Sequence, residues 1–165
     1  MPHNLSTNPT TTSTKLSATL ALGLGLLAFG TQAETPSRLC ARVGTDDTAR
    51  SVPASSAAAV NRLFRTRMPA SVIEKTTVFR CFDSHVLVCT ASANLPCGKA
   101  SLSGSKPGAT AWCHEHPDTA SIPAFATGHD TIYEWHCRGG QAEALRPIDQ
   151  VDARGFFTRY WKQLQ

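Results

Sequence analysis

The sequence predicts an α+β domain held by disulfides, and three observations carry that expectation. Two stretches rich in β-branched and aromatic residues read as antiparallel hairpins, one over Thr76–Thr90 and one over Thr131–Arg146. Two apolar stripes at helical spacing, Ser56–Met68 and Asp152–Leu164, flank them. All six cysteines, Cys40, Cys81, Cys89, Cys97, Cys113 and Cys137, lie beyond an N-terminal segment built like an export signal. The expected architecture is a small sheet from two hairpins with both helices packed on one face.

The N-terminus places Lys15 before an apolar run from Ala18 to Phe29, followed by small residues at Thr31 and Ala33. That is the layout of a secretory signal peptide over residues 1–33, cut after Ala33. The run is shorter than the roughly 20 predominantly apolar residues that span a bilayer, and two glycines interrupt it, which argues against an uncleaved anchor. Cys40 follows Glu34 and Arg38 instead of the apolar run itself, so the pattern is not that of a lipoprotein. Removing residues 1–33 from the 165 leaves 132, enough for one modest core. The leader holds one of the 16 Lys and Arg and none of the 12 acids, so the mature chain carries 15 − 12 = +3. This mild basic tilt lacks the clustered stripe of a nucleic-acid binder, and Arg62, Arg65 and Arg67 read as the solvated face of a helix.

Residues 34–54 are polar with little apolar periodicity and are expected to form an extended arm tethered by Cys40, ahead of a single α+β domain over 55–165. Ser55 or Ser56 starts a helix with Val60, Leu63, Phe64 and Met68 on one face, and Pro69 ends it. Thr76–Phe82 and Val86–Thr90 form the first hairpin, whose tip lacks the glycine that tight turns prefer. Residues 91–107 are expected to be irregular, and Pro107 to Glu115 a short helix stopped by Pro117. Thr131–Cys137, a turn at Arg138–Gly140 and Ala142–Arg146 form the second hairpin, with Tyr133, Trp135 and Cys137 on its buried side. Asp152 caps the last helix, whose Phe156, Phe157, Tyr160, Trp161 and Leu164 read as core.

Candidate chemistry concentrates between Trp112 and Cys137, which hold four of the six histidines, four acids and two cysteines. His114, His116 and His136 are candidate ligands for a divalent metal such as zinc, and His129 with Asp130 is a candidate general acid/base pair. Against both, no CxxC knuckle, HExxH, CxxCH, GxSxG, phosphate loop or dinucleotide fingerprint is present, and a pair of residues is not a triad. His114 and His116 share a face only in extended backbone. Oxidation on export removes thiolate ligands, so the six cysteines read as up to three disulfides with fifteen possible connectivities. A Cys113–Cys137 bridge would close the histidine-rich stretch into a loop and bring His114 and His116 toward His136.

Cys81–Lys99, His129–Cys137 and Val151–Phe156 together resemble a group of small exported, cysteine-containing bacterial proteins without assigned activity, over most of residues 69–164. The resemblance implies a periplasmic setting and one compact domain, carries no catalytic residue across, and departs at Ser84, where the hairpin tip usually has glycine. Phe79-Arg80-Cys81 is similar to the strand of periplasmic inhibitors of c-type lysozyme, whose basic target is poorly matched by a surface of net +3.

The function expected from these residues is a periplasmic or secreted, non-enzymatic module that binds a protein or cell-envelope component and needs no cofactor. The alternative is a metal-dependent or His/Asp hydrolase with its site around residues 113–137. Nucleic acid is not an expected partner, and no segment after the leader is expected to cross a membrane.

Overall fold

The computed structural model describes residues 34–92 and 96–165; the expected signal peptide lies outside them. Thr35 and Pro36 begin the first element, because a threonine oxygen accepts from the Arg38 amide and proline suits the first helical turn. Helix α1 (Pro36–Val43) buries Cys40 and closes on Gly44 at φ 72°. Strand β1 (Asp46–Ser51) then pairs antiparallel with β2 (Thr77–Phe82). The expected loose arm is therefore a helix and an edge strand. Cys40 tethers it as expected, through a disulfide to Cys81 on β2.

The first hairpin forms where the pattern placed it, with β2 joined to β3 (His85–Thr90) in continuous register from Thr77↔Thr90 to Phe82↔His85. Its two-residue tip puts Asp83 and Ser84 at φ 55° and 64°, a conformation that normally recruits glycine. The first segment braces it: Ser84 donates its amide to the Gly44 carbonyl, and Asp83 donates to the Thr45 hydroxyl.

Between β1 and β2, a 3₁₀ turn (Ala54–Ser56) runs into α2 (Ala57–Phe64). This helix is shorter than the stripe to Met68 suggests, because Arg65 adopts left-handed backbone at φ 55° and closes it one turn early. Pro69 does not merely end a helix. It stands at the N-cap of α3 (Ala70–Thr76), whose last residue is the Thr76 expected to begin the strand.

The largest departure is at the C-terminus. Asp152 does accept backbone amides, from Arg154 and Phe156, but no helix follows. Gly155 turns the chain at φ 84°, and the other carboxylate oxygen of Asp152 takes the guanidinium of Arg80 from β2. The segment ends in the two-residue strand β6 (Lys162–Gln163), which completes a four-stranded sheet in the order β1-β2-β3-β6. Phe156, Phe157 and Trp161 are buried as their apolar character requires.

This C-terminal segment covers the face of the sheet opposite the helices. Side chains alternate along a strand, so Phe79, Cys81, Val86 and Val88 meet α1, α2 and α3 in one core, while Cys89, Phe156 and Trp161 build a second with Val78 and Leu87. Arg80 is fully buried on this second face, with its guanidinium 4.2 Å from the Phe156 ring centroid and 4.8 Å from that of Trp161. Both faces of β2 and β3 are thus covered, where the sequence pattern suggested helices on one.

The second hairpin, β4 (Tyr133–Arg138) with β5 (Gln141–Pro147), forms its own two-stranded sheet instead of joining the first. Gly139 and Gly140 supply the positive-φ turn at its tip. The expected helix appears as α4 (Pro107–Glu115) and packs on β5 and on the short α5 (Ala124–Thr127). Their small core gathers Ala109, Ile122 and Trp135 around the Cys113–Cys137 disulfide. Cys89–Cys97 is the third bridge, and no cysteine is free. The α+β class, antiparallel pairing and disulfide framework match expectation. Ala33–Gln165 forms one compact unit, so 34–54 belongs to the domain.

Candidate functional site

The histidine-rich stretch folds into several separate places. His114 is exposed near the end of α4, and His116, at the helix C-cap, stacks on Trp112 with ring centroids 4.0 Å apart. His136 on β4 sits across from Glu143 on β5, with Nε2 2.9 Å from Oε2. That hydrogen bond holds the Glu143 carboxyl below the ordinary carboxylate range. The Cys113–Cys137 bridge closes the loop as its cysteines suggested. Yet no group of three or more His, Cys, Asp or Glu side chains is placed to hold a metal ion among the described residues.

Asp130 is equally engaged. Its carboxylate accepts from Lys106 Nζ at 2.9 Å, and no hydrogen bond joins it to His129 among the described residues. Glu134, the other acid beside His129, pairs with Arg146 at 3.1 Å. Asp130 and Glu134 are thus committed to Lys106 and Arg146, and the one imidazole–carboxylate hydrogen bond among the described residues of this stretch is His136 with Glu143.

Two clefts share Arg159 and Tyr160 in their walls, and the smaller of them draws most of its lining from the histidine-rich stretch. One, of about 300 Å³, includes His129, Tyr133, Glu134 and Ile148 in its wall. The other, of about 410 Å³, is walled by Phe64, Met68 and Tyr160, with Thr66, Thr90, Ser92, Arg159 and Lys162 completing it. Among the described residues the second has no acid in its lining, and its surface is chiefly apolar.

Local structure explains why these side chains meet. After the early stop of α2, Thr66 and Met68 line the same cleft as Thr90 at the end of β3, and Asn61 clips their segment in place. Its side-chain oxygen accepts from the Thr66 hydroxyl at 2.8 Å and the Met68 amide at 2.9 Å, while its amide group donates to the Met68 carbonyl. On the opposite wall Arg159 is held by Asp149 at 2.6 Å and lies over the Tyr160 ring at 4.5 Å. Buried Phe157 anchors the turn that presents both residues.

Tyr160, Arg159, Lys162 and Asn61 escaped the sequence reading for identifiable reasons. A helical stripe assigned Tyr160 to the core, and it does pack half-buried against the second core, but the irregular C-terminal segment also sets it in the wall of both clefts. Asn61 announces itself only through a loop seven residues away. Phe79, Arg80 and Cys81 are buried on β2. Comparison with protein-family models, with curated proteins and with solved structures finds no match for this chain.

Proposed function

We propose that the protein is an exported, disulfide-held binding module whose ligand seats in the clefts around Arg159 and Tyr160. The observation that carries this reading is the contrast between the two kinds of site. Candidate acid/base and ligand groups are dispersed, with Asp130 and His136 held by other partners, while the larger cleft offers a mostly apolar lining together with hydroxyls and cations. Pockets that bind small molecules combine these features: an apolar lining and a few polar groups that fix orientation.

The three disulfides support a periplasmic or secreted location, since thiols are kept reduced in most cytosols. No described helix is long and apolar enough to cross a membrane.

The reading is tested on protein recovered from the envelope fraction of its producing cells. Intact-mass analysis is expected to find a chain beginning at Glu34 with all six cysteines oxidised and no stoichiometric metal. Native mass spectrometry is expected to find a small-molecule adduct that the Ser92→Phe variant loses. Six reduced thiols in folded cytosolic protein with its leader intact would overturn the export half. A stoichiometric zinc lost on His136→Ala would restore the hydrolase alternative.

A further inference from the structure

We propose that the 410 Å³ cleft binds a single-chain amphiphilic carboxylate, its acyl tail against Phe64, Met68 and Tyr160 and its head group at Lys162 and Arg159. This rests on the binding-module reading and names the ligand class of that same site.

The tail follows from the walls. Phe64 and Met68 come from the end of α2 and the loop beyond it, Tyr160 from the opposite wall, and the cleft they enclose is within the size range of small-ligand sites. Methionine is unbranched and deformable, so it accommodates a flexible chain better than a rigid planar ligand. Stacked recognition of a sugar or base would call for a broader aromatic platform than the Tyr160 ring, half covered by Arg159.

The head group follows from charge. No Asp or Glu lines the cleft, and Lys162 makes no ion pair among the described residues. Arg159 meets Asp149 through Nε, which leaves its two terminal nitrogens for another acceptor. Lys162, with the terminal nitrogens of the Asp149-paired Arg159 and the Thr66, Thr90 and Ser92 hydroxyls, complements a carboxylate, and disfavours an ammonium head of the same tail length. Lys162 is exposed and lies on the short edge strand β6, so it supplies charge at little cost to the core.

The test is calorimetric titration of laurate, below its micellar concentration, into the exported protein with its disulfides intact, with backbone amide shifts recorded in parallel. One molecule is expected to bind, with shifts concentrated at Thr66, Thr90 and Lys162. Dodecyltrimethylammonium, with the same tail and the opposite charge, is expected to bind about tenfold more weakly or worse. Lys162→Glu is expected to weaken laurate by a similar factor, and Ser92→Phe, which fills the cleft, to abolish its binding, both with unchanged thermal unfolding.

Absence of saturable laurate binding, equal affinity for the cationic analogue, or laurate binding that survives Ser92→Phe would each overturn the proposal. If laurate fails while the envelope-derived protein still carries an adduct lost on Ser92→Phe, the ligand class is wrong and the binding module stands. If no adduct is found either, both readings fall.

Discussion

The two sheets of this protein are held by different means. The four-stranded sheet buries side chains on both faces, against three helices on one and the C-terminal segment on the other, and it encloses the ion pair between Arg80 and Asp152. The two-stranded hairpin has one small core with α4 and α5, and its neighbourhood leaves Phe125 75% and Ile148 61% exposed. A pair of strands alone is marginal in water. The hairpin therefore leans on its covalent link to α4, whereas the larger sheet adds packing on both faces and a buried charge pair to two disulfides of its own, Cys40–Cys81 and Cys89–Cys97. Fold regularity is thus a poor guide to what holds each part: the irregular C-terminal segment is the more deeply built in.

The strongest way to break this contrast is at Arg80. Arg80→Ala leaves Asp152 without its partner beneath the aromatic rings and is expected to cost about 3–5 kcal/mol, read by chemical denaturation. Arg80→Met, which keeps the stem against Phe156 and Trp161, is expected to recover part of that loss. A cost for Arg80→Ala below about 1 kcal/mol would mean that the pair contributes specificity and little stability.

Next in size is the comparison of the disulfides themselves. Chain-entropy reasoning gives about 4 kcal/mol for Cys40–Cys81, which closes 41 residues, and about 3.5 kcal/mol for Cys113–Cys137, which closes 24. Their consequences should differ in place. Replacing Cys113 and Cys137 by serine is expected to speed hydrogen exchange in β4, β5 and α4 while the four-stranded sheet stays protected. Uniform loss of protection across both sheets would show that the hairpin is not a separate weak point.

A smaller effect comes from acid. Asp47 receives Arg154 at 2.9 Å and Lys99 at 2.8 Å, and these hydrogen bonds lower its pKa from the ordinary 3.8 to about 2. Because the folded value lies below the unfolded one, the stabilisation is complete above about pH 4 and disappears as pH falls toward 2. With both cations half exposed, solvent screening limits the contribution to about 1 kcal/mol. Asp47→Asn is expected to flatten the acid limb of the stability curve over that window; an unchanged limb would remove Asp47 from the account.

The smallest effect belongs to the hairpin surface. Glu143 titrates below the ordinary carboxylate range because His136 hydrogen-bonds it. Glu143→Gln is nevertheless expected to leave the thermal midpoint nearly unchanged, since a partly exposed cross-strand pair whose hydrogen bond the amide can replace contributes little. A clear drop in the midpoint would place a polar contact beside the disulfide as a support of this sheet.

These contrasts also separate what local pattern reveals from what it hides. The hairpins and α4 were legible because alternation of two, a helical start at proline and glycine at a tight turn are properties of neighbouring residues. Thr35-Pro36 carries a similar local start signal, but a polar surround with few apolar positions concealed α1. Asp152 reads as a helix cap, and it does cap backbone amides; the outcome changes because Gly155 redirects the chain and Arg80 claims the second carboxylate oxygen. Of the candidate site, the sequence singled out His129, which the fold sets in the wall of the smaller cleft, and missed the larger cleft, whose walls come from three distant segments.

By itself, then, the sequence determined an α+β chain rich in antiparallel pairing, with cysteines suited to cross-linking, since these follow from composition and short-range periodicity. Tertiary structure alone decided which cysteines pair, that the last segment covers the second face of the sheet, and that Tyr160 opens onto a cleft. Those outcomes turn on contacts between residues far apart, such as Arg80 and Asp152 at a separation of 72. Leaving the buried Arg80 guanidinium without Asp152 would cost several kcal/mol, more than the few tenths of a kcal/mol per residue by which local preference favours a helix.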